Sequence, residues 1–415
     1  MVSTALSRKS TIRPLLSGMH PRPTADTCMS PIRRCSITPT AYENPGELGT
    51  RRVACGSSGG RQCTGSRKVS TIAASDRSVA SLGNGVTQPI DRGDVSELLE
   101  TLRCAHLPDP EGEFFVDWMG VRTRIPMLPW APAELAGTVS EELPIPDDGY
   151  RSEDIEYAAL ARALRDTESH PLRIVEIGAG WAPWAVAGLV HARRRGQPGI
   201  AVAVEADPRR CAWAMQHARD NQVEAVHVSG RPRKLARLIS DALSTFRGHA
   251  AQATQLLVVV QAAGWHETTT VAFPDADIED MGTAVWTLPG TDVDYRGAHL
   301  QHGDVPAISI PDLLAAIRET GTDRTVVDLL HVDVQGVEFE LLERAADGIQ
   351  THTRLMGVGT HSRWNEGQLQ HFFLERGWGL LIDEPCKAHF TMTHPTLSGF
   401  TVQDGMQLWE NPFVL

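Results

Sequence analysis

The chain has 415 residues and a formal net charge of −12, but residues 1–90 hold 12 Lys and Arg against 4 Asp and Glu, so the remainder sums to −20. Ser and Thr occupy 23 of those first 90 positions, a composition that cannot bury enough apolar surface to offset the entropy of ordering. The folding part is therefore roughly 320 residues, enough for one large domain, and no run approaches the ~20 continuous apolar residues of a membrane span.

Residues 1–92 are expected to form a disordered basic extension. Its Arg-rich, Ser-rich, acid-poor composition fits an organellar transit peptide, an unstructured tail or sequence upstream of the true start. The acidic remainder repels phosphate backbones, which argues against a nucleic-acid partner. Four of the seven cysteines lie in the extension at spacings that match no zinc pattern. With Cys104, Cys211 and Cys386 alone in the body, a reduced compartment is expected: the cytoplasm, or an organelle if the extension is a transit peptide.

Along the body, Ser96–Arg103 reads as a helix, Glu113–Ile125 as a strand with a glycine break, and the proline-rich 126–146 as irregular approach. Residues 93–150 form a lead-in packed on the core. Asp154–Asp166 is helical. From Leu172 strands and helices alternate, the pattern of a parallel α/β sheet. Arg173–Ile177 is the first strand, followed by a helix from Pro183 to about Arg195. Ile200–Val204 is the second, ending at Glu205, and Pro208–Gln222 the next helix. The third strand is either Ala225–Ser229 or the stronger Leu256–Val260. With the latter, 224–254 becomes an insertion whose Leu235, Leu238, Ile239, Ala242, Leu243 and Phe246 make one helical stripe. Its Arg231, Arg233, Lys234 and Arg237 are then a solvated helix face or a substrate-facing lid. Helices at Pro311–Glu319, Val337–Ala346 and Glu366–Arg376 alternate with strands at Val326–Val334, Leu355–Thr360 and Trp378–Ile382. Met406–Trp409 is the last strand.

The chemistry concentrates at Val175-Glu176-Ile177-Gly178-Ala179-Gly180 and, one strand later, Val202-Ala203-Val204-Glu205. Glycines at a strand-to-helix turn let a ligand approach the backbone. Amides opening the next helix face negative charge, and a carboxylate at the second strand tip accepts both ribose hydroxyls. The dinucleotide pattern needs a third glycine where this chain has Pro183. The acid two positions before the first glycine instead suits a ligand carrying an ammonium group, which favours S-adenosylmethionine over NAD. No histidine, cysteine or carboxylate cluster shows metal-ligand spacing, so no metal is expected.

The sequence also resembles the FkbM-type methyltransferases, class I enzymes using S-adenosylmethionine. Asp328-Leu329-Leu330-His331-Val332-Asp333-Val334-Gln335-Gly336-Val337-Glu338 looks like the family's fourth-strand motif, and Gly178-Ala179-Gly180-Trp181 like its glycine turn. Val358-Gly359-Thr360-His361-Ser362, Asp404–Trp409 with Asn411-Pro412, and Phe115-Val116-Asp117 with Gly120 look like further family segments. The resemblance covers about 110–415. It departs at Ala182, where the family usually has glycine, and in the longer 224–254 segment. It implies a Rossmann-like class I methyltransferase sheet over 151–415, mostly parallel with an antiparallel C-terminal strand, and places adenine near Gln261-Ala262-Ala263.

Glu176, Gly178, Ala179, Gly180, Trp181 and Glu205 are then the expected cofactor-binding residues. The sulfonium methyl is already activated, leaving in-line positioning and removal of the acceptor's proton. Asp333 and His361, at the ends of the fourth and fifth strands, are the expected catalytic pair. Alternatively Asp333 caps the following helix and Glu338 complements its dipole. The expected reaction is O-methylation of a sugar or secondary-metabolite small molecule, that acceptor class resting on the resemblance alone. Two other readings are a cofactor-binding but non-catalytic partner subunit, motivated by Ala182, and a nicotinamide-dependent oxidoreductase, which Pro183 disfavours.

Overall fold

A computed structural model describes residues 89–144, 154–165, 167, 170–247, 254–285, 291, 293–294, 296–318, 325–392 and 396–414. The expected extension over 1–92 therefore lies, up to residue 88, outside the described residues. No helix among the described residues is long and apolar enough to cross a membrane.

In the lead-in, α1 (Arg92–Glu100) starts four residues before the sequence suggests, because the Asp91 carboxylate accepts from Gly93 N and caps it. The single strand expected over 113–125 is a hairpin of β1 (Phe114–Val116) and β2 (Arg122–Arg124). Asp117 Oδ1 accepts from the amides of Met119 and Val121, 3.0 Å each, and turns the chain. β3 (Thr138–Val139) adds to β1 in parallel. Leu99, Trp118 and Val121 are buried in the same cluster as Leu160 and Leu164 of α2 (Asp154–Arg165).

The main body alternates β4 (Leu172–Ile177), α3 (Pro183–Arg194), β5 (Gly199–Glu205), α4 (Pro208–Asp220), β6 (Glu224–Val228), α5 (Pro232–Arg247) and β7 (Gln255–Gln261). After β8 (Ala263–Gly264), β9 (Thr270–Asp275) and β10 (Gln301–Ile308) come α6 (Ile310–Ile317), β11 (Val327–Val332), α7 (Glu338–Glu343), α8 (Ala346–His352), β12 (Thr353–Thr360) and α9 (Arg363–Glu375). β13 (Gly379–Glu384), β14 (Lys387–Ala388), β15 (Thr401–Gln403) and β16 (Gly405–Glu410) complete it.

Eight strands form one sheet in the order β13-β16-β12-β11-β4-β5-β7-β6. The strands from β12 to β6 are parallel, and β16 runs antiparallel between β12 and β13. This is the mostly parallel α/β sheet with an antiparallel C-terminal strand that the sequence predicts. Its central strands are apolar on both faces, as helices on both sides require. Ile174, Ala201, Leu257 and Leu329 face one core with α2 and α3; Val175, Val202, Val258 and Leu330 face the other with α5 and α6.

Two expectations are corrected. Both candidates for the third strand are strands, β6 pairing parallel to β7 at the sheet edge. The segment 224–254 is thus no insertion carrying a lid, because α5 is the crossover joining them and packs Leu235, Ile239 and Leu243 into the second core. Arg231, Arg233, Lys234 and Arg237 are exposed along that crossover. The helix expected over Val337–Ala346 is two, α7 and α8, with Ala345 between them leaving helical geometry (φ −100°, ψ 6°).

Candidate active site

The carboxyl ends of β4, β5, β7, β11 and β12 open on a cavity of about 440 Å³. In an open α/β sheet ligands bind outside the carboxyl ends of the strands, beside the place where strand order reverses. All eight residues expected from sequence reach this one cavity: Glu176, Gly178, Ala179, Gly180, Trp181, Glu205, Asp333 and His361. Ala262 and Ala263 also line it.

The glycine turn has two distinct duties. Gly178 (φ +79°) passes so close to β11 that a Cβ there would stand 1.7 Å from the Asp333 carbonyl oxygen. Gly180 (φ +54°) has nothing within 4 Å of its would-be Cβ and leaves the cavity open. Ala182, where the resembled family has glycine, takes the left-handed conformation too (φ 59°) and is fully buried. Ala182→Gly relieves about 1 kcal/mol of strain but loses a buried methyl worth about 0.8 kcal/mol. Thermal melts of that variant are expected to match the parent within about 1 kcal/mol.

Glu205 is 5% exposed. Its carboxylate accepts from Gly180 N and Asp207 N, 2.8 Å each, and so ties the glycine turn to the tip of β5. Burial raises its pKa against the nearby positive charge of Arg210. Glu176 accepts from Ala185 N at 2.8 Å in the first turn of α3. Burial pushes its carboxyl up to about 7, partly opposed by the charge of His331. Trp181 packs beside Met127 and Leu128 of the lead-in, and its carbonyl lies 3.0 Å from His217 Nδ1.

At the other end, His361 is wedged between carboxylates. Its Nδ1 lies 2.8 Å from Glu338 Oε1 and its Nε2 3.2 Å from Asp333 Oδ1. Glu338 is fully buried and also accepts from Gly336 N at 2.8 Å and from Asn365. Burial disfavours the imidazolium, yet the Glu338 and Asp333 carboxylates outweigh it and raise the His361 pKa well above its ordinary value. Asp333 is correspondingly held below the usual carboxylate range, the His361 contacts overcoming the effect of burial. Its side chain is 35% exposed. Asp333, Glu338 and His361 each offer a donor atom within 4.8 Å of the others, a set a divalent cation could share. The third member, His361, lies 23 residues from Glu338, beyond the short spacings by which ligand pairs are read from a sequence.

Sequence reasoning missed Glu156 and His331, which also line the cavity and pair at 2.9 Å through His331 Nε2. His331 follows the apolar Leu329 and Leu330 and precedes Val332 in β11, and a buried polar residue in such a run was the available signal. Arg210, 4% exposed, was missed as well. Its guanidinium donates to Thr283 Oγ1 and to the carbonyls of Ile278 and Asp280, fastening a segment whose Met281 and Thr283 line the cavity.

No family model matches the chain. Over 298 residues it is 26% identical to a protein of Jannaschia sp. (strain CCS1) described as "Putative methyltransferase", covering 71% of this chain and 91% of that one. Among solved structures, the human "methyltransferase 10 domain containing protein" is 13% identical, with 70% of this chain and 89% of that one covered and a TM-score of 0.31. A Streptococcus pneumoniae protein described as "a putative tRNA (m1A22) methyltransferase" is 12% identical over 60% of this chain and 74% of its own, with a TM-score of 0.27. The curated relative supports a methyltransferase.

The expectation of a small-molecule acceptor and no nucleic-acid partner is corrected here, because the exclusion of nucleic acid rested on net charge and that premise was too coarse. A net charge is a sum over the chain and does not fix the field at one surface, and exposed Arg231, Arg233, Lys234 and Arg237 gather positive charge on an acidic body.

Proposed function

We propose that this protein is an S-adenosylmethionine-dependent methyltransferase of the FkbM type that methylates a hydroxyl group. The observation carrying this reading is the convergence of the Gly178–Gly180 turn, Glu176 and Glu205 with Asp333 and His361 around one cavity. The cavity fits the cofactor: the turn leaves open space at Gly180, and Glu205 stands at the tip of the second strand, as ribose recognition requires. When bound, S-adenosylmethionine supplies a sulfonium-activated methyl group.

The chain's own residues then have separate duties. Glu205 would hold the ribose hydroxyls, Ala262 and Ala263 would flank the adenine, and Trp181 walls the cavity. His361, protonated and clamped between Glu338 and Asp333, has no free ring nitrogen with which to act as a base. It fixes the Asp333 carboxylate, which faces the cavity and would take the proton of the acceptor hydroxyl. A carboxylate held below its usual pKa is a weak base, so in-line positioning carries most of the rate.

Calorimetry on the full chain is expected to show binding of S-adenosylmethionine and S-adenosylhomocysteine, with Glu205→Ala weakening both by about tenfold or more. With methyl-labelled cofactor, label is expected on acceptor oxygen. If neither nucleoside binds, the reading fails.

A further inference from the structure

A proton taken from the acceptor by Asp333 still has to reach water, and the duties above assign no residue to that step. A second cavity of about 400 Å³ adjoins the first, and Gln335, His361, Gln403 and Asp404 line both. Asp404 therefore stands where the two meet. Its Oδ2 lies 3.8 Å from His361 Nε2, the same ring nitrogen that Asp333 Oδ1 approaches to 3.2 Å. The backbone around it is pinned. Thr401 Oγ1 donates to the His361 carbonyl at 2.6 Å, and a Cβ on Gly405 would stand 2.4 Å from Cys386 N and 2.6 Å from Glu384 O. The His361 side chain is 4% exposed, against 35% for Asp333 and 61% for Asp404. A proton on Nε2 thus meets water through the carboxylates beside it, and Asp404 is the more open of the two. The 3.8 Å separation is longer than a hydrogen bond, so Asp404 reaches Nε2 by a turn of its exposed side chain or through one water.

We propose that Asp404 is the exit of a proton relay, from Asp333 through His361 to Asp404, that carries the acceptor's proton out to water. This rests on the reading above in which Asp333 takes that proton, and it adds the step that follows. A protonated His361 has no room for a second proton, so it gives before it receives. The Nε2–H bond breaks and an O–H bond forms on the Asp404 carboxylate. Nε2 then takes the proton from the Asp333 carboxylic acid, which restores the imidazolium and the Asp333 carboxylate together. Asp404 releases its proton to water. The sum is one proton moved from acceptor to solvent, with every side chain returned to its starting form. Glu338 Oε1, 2.8 Å from Nδ1, holds the other ring nitrogen's proton throughout, so the ring keeps its orientation. Asp404 acts through His361 and is a positioning residue for the proton's departure.

The test is the rate at which the His361 Nε2 proton exchanges with water, read by nuclear magnetic resonance on the full chain carrying isotope-labelled histidine. The His361 signal is identified by its loss in His361→Gln. Asp404→Asn keeps the size of the side chain and is expected to slow the exchange at least about tenfold. Asp404→Glu returns a carboxylate and is expected to bring the rate back to within about threefold of the parent. Asp333→Asn is expected to change it less than about threefold, because Asp404 still stands between Nε2 and water. A merely structural role for Asp404 would not produce this pattern. Parent-like exchange in Asp404→Asn, or equal slowing in Asp333→Asn, overturns the relay. The measurement uses no cofactor and is therefore separate from the calorimetry. A chain that binds neither nucleoside overturns the cofactor reading, whatever the exchange rates, and the relay's part in methyl transfer with it.

Discussion

Gly178→Ala is expected to destabilise the protein by roughly 3 kcal/mol or more, the sum of overpacking and left-handed strain. The added methyl would stand 1.7 Å from the Asp333 carbonyl oxygen, and neither backbone is free to retreat. Asp333 N donates to Ile177 O at 2.9 Å, and Gly178 N to Val204 O at 3.0 Å. Both sides of the clash are therefore tied into the sheet. Gly180→Ala is the matched control. It carries similar φ strain, about 1 kcal/mol, but its methyl enters open cavity. Its melting temperature is expected to fall little, while its affinity for S-adenosylhomocysteine falls strongly. A Gly178→Ala protein that melts like the parent would show that β4 and β11 can separate at the turn.

Glu176→Gln is expected to stabilise the ligand-free protein at alkaline pH and to weaken cofactor binding. The Glu176 carboxyl has its pKa raised to about 7 by burial, from an ordinary value of 4.5. A raised acid favours the folded state while it stays protonated. Its contribution is therefore intact below pH 4.5, is lost as pH rises towards 7, and does not change further above that. The loss is on the order of 3 kcal/mol at about 1.4 kcal/mol per unit. Chemical denaturation from pH 4 to 8 is expected to show the two proteins equal at pH 4 and the variant ahead at pH 8. Cofactor affinity of the parent is expected to rise through pH 7 as the carboxylate forms to meet an ammonium, and that of the variant to stay flat. A variant less stable than the parent at pH 8 sinks this account of burial.

These two positions were visible in the sequence because their physics is local. A strand running Arg173-Ile174-Val175-Glu176-Ile177 into Gly-Ala-Gly, then proline at a helix start, leaves few alternatives. The fully buried strands read as apolar runs for the same reason. β6 was harder: at the sheet edge it is buried on one side only at Val228 and exposed at Glu224 and His227. Such a strand looks weaker than its neighbour β7, although both belong to the sheet. β9 and β10 were not foreseen, because their antiparallel pairing joins residues 270–275 to 301–308 across a long, Pro- and Gly-containing stretch. At the site, Asp333 and His361 sat at strand ends and could be found by position. Glu156 and Glu338 act through partners 175 and 23 residues away, and no spacing rule reaches that far.

The placement of β16 has a consequence for how the molecule assembles as it leaves the ribosome. β13 touches the sheet only through β16, which is made later and slots between it and β12. Until residues 405–410 emerge, β13 has no strand to pair with and β12 keeps a bare edge of backbone amides and carbonyls. A chain interrupted before Gly405 thus forfeits two strands rather than one. Its incomplete sheet would end on β12, the strand that leads directly into His361, exposing a template for wrong pairing beside the cavity.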